Sequence, residues 1–446
     1  MNKQKKIGFV SLGCAKNLTD TETMLGILDN AGYAITADPA DAEIIVVNTC
    51  GFIDSAKEES INTLLEMAQY KEGKCELLVA AGCLAQRYSG EIEEQLPEVD
   101  IIIGTSDYGS IAAILDEYYN KGEKQTLVGD PNRLVSDSLP RIRSTPRYSA
   151  YLKIADGCDN HCTYCIIPQL RGKFHSRDEE SILAEARAMA AEGVKELILV
   201  AQDTAYYGMD SGTHRLPGLL RSLSEIDGIE WIRLQYCYPE NITDGLVEEI
   251  ASNPKVVKYL DMPLQHVSDN VLKRMGRRSR NEEIKELINK LRSAIPGLVI
   301  RTSLIVGFPG ETEEDFETLL SFIGEYRLNK VGVFTYSPEE GTPACSYDGQ
   351  IDEEIAVQRR SRIMELQRDV SSALNAQAVG STISVIIEGY DEDEFCYVGR
   401  SSTDTPEVDG IAYVYSEDEL EAGQIVAAVV IDYDEYDVIC KISTKG

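Results

Sequence analysis

The chain has 446 residues, 43% of them hydrophobic, which is too long for one ordinary domain and too apolar for a disordered chain. Lys and Arg number 43 against 75 Asp and Glu, a formal net charge of −32, which counts against a general nucleic-acid binder whose affinity would rest on neutralised phosphates. Eleven cysteines scattered over a long chain do not make a small disulfide framework; they point to ligands or free thiols in a reducing compartment.

The apolar stretch from Ile7, behind Lys3, Lys5 and Lys6, is broken by Ser11 and Gly13, too short for a leader. No run approaches the roughly 18 apolar residues of a membrane span, so a cytoplasmic protein is expected. Ile7 to Leu12 reads as a strand and Thr19 to Ala31 as a helix, with Met24, Leu25 and Leu28 on one face. Glu43 to Asn48 is a near-continuous Ile and Val run of the kind buried in a parallel sheet. A helix at Ser55 to Gln69 and strands at Leu77 to Ala81 and near Ile101 complete an N-terminal parallel-sheet α/β domain, residues 1–140. Asp130 to Pro146, with its Pro, Arg and Ser, reads as a linker.

Residues 141–376 repeat the α/β rhythm. Strands are predicted at Tyr151–Ala155, Glu196–Ala201, Trp231–Gln235, Val257–Asp261, Val299–Val306 and Val331–Tyr336, with helices such as Glu180–Glu192 and Asn281–Ser293 between them. This is the pattern of a partial or complete (β/α) barrel, whose functional groups collect at the strand C-terminal ends. A helix at Asp352–Ala378 closes it. Residues 377–446 change to short strands at Ile383–Ile387, Cys396–Val398, Ile411–Tyr415 and Ile425–Ile431, the signature of a small antiparallel β-barrel. Sixteen acidic residues there face Arg400, Lys441 and Lys445, a net −13, so the acidic excess is concentrated in the tail.

The strongest motif is Cys158-x3-Cys162-x2-Cys165 within ADGCDNHCTYCIIPQLRG, just past the first barrel strand. Three thiols in a short loop have no core to hide in, but thiolate is the preferred ligand of an iron-sulfur cluster. Zinc would call for a fourth Cys or His at similar spacing, and His161 is tied beside Cys162. Three thiolates on four irons leave one iron open to a small molecule bound by amino and carboxylate groups, and Tyr164 is placed to pack on that molecule.

A second set, Cys14, Cys50 and Cys83, follows the apolar runs GFVSLGC, IIVVNTC and LLVAAGC. In a parallel sheet these strand ends share one edge, and Gly13, Gly51 and Gly82 would allow close approach of a bulky inorganic ligand. Three buried core thiols are the alternative; the shared position after a strand makes a second cluster the stronger reading.

The Cys158–Cys165 spacing resembles that of the radical S-adenosylmethionine (SAM) enzymes, and the two sets together resemble the radical methylthiotransferases over nearly the full chain. The resemblance implies a cluster-binding N-terminal domain, a radical SAM barrel and a C-terminal TRAM barrel. SLGCAKNLTDTE, NTCGFIDSAKEES and AAGCLAQRY look like the three N-terminal cluster segments. After the first cysteine the branch that modifies transfer RNA carries Gln-Met-Asn; Ala15-Lys16-Asn17 is similar to the branch that modifies an aspartate of a small-subunit ribosomal protein. AQDTAYYG at Ala201–Gly208 and GFPGET at Gly307–Thr312 are further similarities.

The resemblance implies two 4Fe-4S clusters, held by Cys158, Cys162 and Cys165 and by Cys14, Cys50 and Cys83. It implies SAM as both radical source and methyl donor, and a methylthio group placed on an aspartate β-carbon. It places Gln202 and Asp203 at the cofactor's methionyl amine, an alternative for Asp203-Thr204 being a plain helix cap. Its partners would be a basic ribosomal protein, drawn by the acidic tail, and an electron donor such as a flavodoxin or ferredoxin. The alternative is the same chemistry on an adenosine of transfer RNA, which the acidic tail disfavours; no membrane is expected, and a monomer suffices. Arg143, Arg171 and Arg177 could pair with acidic groups of substrate or cofactor, surface ion pairs being the default reading, and His175, His214 and His266 are read as structural.

Overall fold

The computed structural model describes residues 5–442, so Lys3 and Lys445 lie outside the described residues. Its first sheet contains β1 (Lys6–Ser11), β2 (Ala34–Thr36), β3 (Ile44–Thr49), β4 (Leu77–Gly82), β5 (Ile101–Ile103) and β6 (Gln125–Leu127), in the order β2-β1-β3-β4-β5-β6. All five pairings are parallel. Every residue of β3 and β4 is buried, which is why their sequences are unbroken apolar runs rather than alternating ones. The edge strands β2 and β6 escaped the sequence reading because they are three residues long and partly exposed.

Helix α1 (Ala15–Asn30) begins four residues earlier than the apolar periodicity indicates. Its first turns bury Lys16, Asn17, Thr19, Asp20, Thr21 and Glu22, so hydrophobic spacing is silent where the helix packs on polar partners. Helices α2 (Asp54–Ala68) and α3 (Cys83–Arg87) follow β3 and β4.

The second sheet is built from β7 (Ser149–Lys153), then, past a two-stranded ladder of β8 (Ala155–Asp156) and β9 (His175–Ser176), from β10 (Glu196–Val200), β11 (Trp231–Leu234), β12 (Val256–Asp261), β13 (Val299–Val306) and β14 (Lys330–Thr335). The order β14-β13-β12-β11-β10-β7 is wholly parallel and does not close, so the barrel is a partial one. Leu197, Leu199, Ile232, Leu234 and Leu260 pack outward with the helices. Their neighbours Glu196, Arg233, Gln235, Tyr259 and Asp261 therefore face the bore.

The third unit is a closed barrel of β15 (Thr382–Asp391), β16 (Cys396–Ser401), β17 (Ala412–Tyr415), β18 (Ile425–Tyr433) and β19 (Val438–Ile442). Its pairings are antiparallel except β17 with β19, which is parallel. The segment between β16 and β17 reaches the bore of the open barrel. Gln235 donates to Thr405 (2.6 Å), Tyr259 to Asp409 (2.8 Å) and Lys330 to Asp404 (2.6 Å). Among the described residues no helix is long and apolar enough to cross a membrane.

Candidate functional site

β1, β3 and β4 are neighbours in one parallel sheet, so their C-terminal ends bring Cys14, Cys50 and Cys83 to a common edge. The turns there are packed to the limit. A Cβ on Gly13 (φ 86°) would lie 2.8 Å from Cys50 Cβ and 2.9 Å from its sulfur, and one on Gly51 would meet the Leu84 backbone at 3.0 Å. Two asparagines lock the turns together: Asn17 donates to the Leu12 carbonyl (2.7 Å), and Asn48 donates to the Asn17 carbonyl and Thr21 hydroxyl (2.8 Å each). From α2, Ser60 accepts from Cys50 N–H and donates to its carbonyl (2.9 Å each). Cys14 stands at the N-terminus of α1. Burial, and then the neighbouring Cys83, push the Cys50 thiol up to about 12; a bound metal would displace that proton.

The second set occupies the loop between β8 and β9. Cys158 N–H donates to the Gly172 carbonyl (3.1 Å), and Thr163 ties the loop to the next wall through Met275 (2.9 Å) and Arg274 (2.8 Å). Cys158 and Cys162 are buried and Cys165 is half-buried. Burial pushes Cys158 up to about 11, and Cys165 is raised by burial and then by Cys162. Gly157 (φ 76°) starts the loop, and a Cβ there would sit 2.0 Å from the Lys173 carbonyl oxygen. Gly157→Ala is expected to cost at least about 2 kcal/mol and to lower both the thermal midpoint and the iron content after reconstitution.

Among the described residues no three Cys, His, Asp or Glu side chains close on a point that one ion could occupy. Two sets of three cysteines on short turns, flanked by close-packed glycines, fit thiolate ligation of an iron-sulfur cluster.

Asp203 is 1% exposed and accepts from Asn241 (2.6 Å), Tyr238 N–H (3.3 Å) and Asn160 of the cysteine loop (3.3 Å). Burial pushes it up to about 6. Its side chain makes no helix-cap bond, so the capping alternative does not describe it. Gln202 instead donates to Asp156 (2.8 Å), leaving its buried carbonyl oxygen without a partner. The Tyr164 hydroxyl is also unpartnered, its ring edge-on to Phe308, while the Tyr238 hydroxyl lies 3.7 Å from Cys162 sulfur.

Arg171 was read as a surface group and is buried. It pairs with Asp20 and Asp156, and its second nitrogen reaches Asn17 (3.1 Å) and Cys83 sulfur (3.6 Å). It closes the short helix Ile167–Arg171 that follows Cys165, so the segment carrying the second thiol set reaches Cys83 of the first. Lys153 joins the same carboxylates. The signal for this network was in the sequence, since YLKIAD places Lys and Asp in a strand otherwise fit for burial. Arg143 pairs with Glu192 and Arg177 with Glu185, ion pairs as expected, though both arginine side chains are half-buried rather than on the surface. His266 is buried, and burial holds it down to about 3, so it is neutral. In the GFPGET segment Glu311, pushed up to about 7 by burial, pairs with Arg359 of the closing helix.

An open parallel barrel with a three-cysteine loop after its first strand defines the class, and residues 152–323 match the Radical SAM superfamily. Residues 6–104 match Uncharacterized protein family UPF0004, and 379–442 a TRAM domain. The ribosomal protein uS12 methylthiotransferase RimO of Acetivibrio thermocellus is 49% identical over 99% of each chain, and that of Geobacter sulfurreducens 50% identical over 99% of each. The chain belongs to this family, the ribosomal protein uS12 methylthiotransferases. The fold is also similar to a radical SAM methyltransferase, TsrM of Kitasatospora setae, with a TM-score of 0.55 at 14% identity over 77% of each chain.

Proposed function

We infer that this protein methylthiolates the β-carbon of an aspartate in ribosomal protein uS12. The observation that carries the reading is that Arg171, six residues after Cys165, reaches the sulfur of Cys83 in the other triad, in a chain about half identical to uS12 methylthiotransferases over its whole length. Cys158, Cys162 and Cys165 would hold one 4Fe-4S cluster and Cys14, Cys50 and Cys83 a second. When bound, the clusters and SAM supply one-electron chemistry that reaches an unactivated C–H bond, which no side-chain base can do near neutral pH.

The chain's own part is placement. The Asn17–Asn48 latch and Ser60 fix the first triad, and Thr163 and Gly157 fix the second. Arg171 and Lys153, against Asp20 and Asp156, hold the two domains in register so that the triads keep their spacing. Tyr164 and Asp203 line the side on which SAM would lie, Asp203 offering a carboxylate to the methionyl amine and Gln202 a free carbonyl oxygen. The acidic third barrel attracts a basic ribosomal protein and repels polyanions. The reading carries with it a cytoplasmic monomer served by a small one-electron donor such as a flavodoxin or ferredoxin.

The test is anaerobic reconstitution with iron, sulfide, reductant and SAM, offering uS12 and transfer RNA separately. A methylthio mass increment on an aspartate of uS12 is expected; an increment on the RNA alone would refute the substrate. A second expectation concerns pH. With Asp203 pushed up to about 6 by burial, its carboxylate protonates as pH falls through that value, so SAM affinity measured by equilibrium dialysis should drop between pH 7.5 and 5.5. Asp203→Asn should bind weakly and without that slope; an unchanged slope would remove Asp203 from the SAM site.

A further inference from the structure

The buried cations around the space between the triads have carboxylate partners, with one exception. Arg171 and Lys153 pair with Asp20 and Asp156, and Arg301 with Asp261 (3.0 Å). Lys16 does not. It is 8% exposed, its ammonium stands 3.5 Å from the centroid of the Tyr236 ring, and among the described residues it makes no hydrogen bond or ion pair. A ring face offsets only part of the cost of desolvating an ammonium. An ammonium held over a ring without an anionic partner is a site open to a counter-charge.

The platform beneath it is purpose-built. Tyr236 has φ 60°, a left-handed conformation costly for a bulky residue. It is held there by its N–H donating to Asp261 (3.1 Å) and its carbonyl accepting from Thr204 N–H (2.9 Å). Ala15 and Leu18, beside Lys16 on the first turn of α1, pack with Tyr236 on Tyr151, Ile198 and Val200 of the bore. The turn therefore lies across the barrel mouth, two residues from Cys14, and the next residue, Asn17, accepts from Arg171 of the other domain (3.1 Å).

We propose that Lys16 binds the side-chain carboxylate of the substrate aspartate between the two cysteine triads. This rests on the uS12 reading above. In aspartate the β-carbon is bonded directly to the carboxylate carbon, so one charge-assisted hydrogen bond at the carboxylate fixes the hydrogen to be removed. An asparagine in its place brings no charge to a site that needs one, and the site discriminates against it.

The same ammonium chemistry would also suit the methionyl carboxylate of SAM, so the test separates the two. Reconstituted full-length protein is titrated with uS12 and with uS12 whose target aspartate is changed to Asn, and SAM affinity is measured on the same samples. Wild type should prefer the aspartate form by about 10- to 100-fold. Lys16→Met should reduce the preference to about threefold or less, and Lys16→Arg should restore most of it. Incomplete cluster loading lowers the competent fraction for both substrates equally and leaves the ratio intact. A Lys16→Met protein that keeps the wild-type preference overturns the proposal, as does one that loses SAM affinity with the preference unchanged. Wild type that modifies uS12 without distinguishing Asp from Asn also overturns it, while wild type that does not modify uS12 at all removes the underlying reading itself.

Discussion

Cys158→Ala is expected to abolish 5′-deoxyadenosine formation completely, whereas Cys50→Ala should retain part of it and lose methylthiolation of uS12 entirely. The asymmetry follows from where the two thiols sit. Cys158 belongs to a loop pinned at Gly172, Met275 and Arg274, and the side chains of Asp159 and His161 in that loop are exposed. With two thiols left, the loop lacks the third thiolate that the inferred cluster takes from it. Cys50 lies on the edge of a separate sheet with cores of its own, so its loss leaves the barrel core and the Cys158 loop standing. Iron and sulfide content, the spectrum of the reduced protein and product masses measured on the same samples decide it. If a folded Cys50→Ala protein loses both activities in equal measure, the two triads do not divide the work as inferred.

The positions of both cysteine sets were legible because they are written in local spacing or in a repeated place, a thiol after an apolar strand. The parallel sheets were legible for a related reason, since β3 and β4 bury every residue and show it. What stayed hidden is polar burial. Lys16 and Asn17 precede the helix that hydrophobic spacing predicts and Asp20 adds no apolar signal to it, yet α1 buries all three, and Arg171, read by default as a surface group, joins two domains. Asn17 and Asn48, 31 residues apart, meet only because β1 and β3 are adjacent. The fifth strand of the last barrel, Val438–Ile442, follows the acidic run DYDEYD, which masks it as a loop. Hydrophobic period reports one kind of burial, and this site is built largely from the other.

The largest effect on stability is expected at Glu196, far from the thiols. Its carboxylate is fully buried between Arg233, which donates from 2.8 Å, and Arg400 of the third barrel, also in hydrogen-bond contact. Burial alone would raise the Glu196 carboxyl, but Arg233 and Arg400 outweigh it and hold it below the usual range. A carboxyl depressed in the folded state stabilises above its unfolded value, about 4.3, and that contribution fades only as pH falls through the lower folded value. The docking should therefore survive mild acid.

Glu196→Ala is another matter. It leaves two buried guanidinium groups without their shared anion, and two Arg233 nitrogens already lack partners over the Tyr259 ring. Breaking a buried ion network from one side costs about 3–5 kcal/mol. The loss should appear first as detachment of the third barrel, seen as limited proteolysis between Ala378 and Thr382 before the rest of the chain unfolds. A thermal midpoint within a degree of wild type, with no new cleavage, would mean that the apolar contact of Ile386 with Trp231 and Tyr259 carries the docking instead. Replacing Glu196, Arg233 and Arg400 together by Met should recover most of the lost stability, because the penalty lies in the unpaired charge and not in the missing pair. The acidic barrel would then stay seated on the bore, and any remaining loss of uS12 binding would report on its surface charge alone.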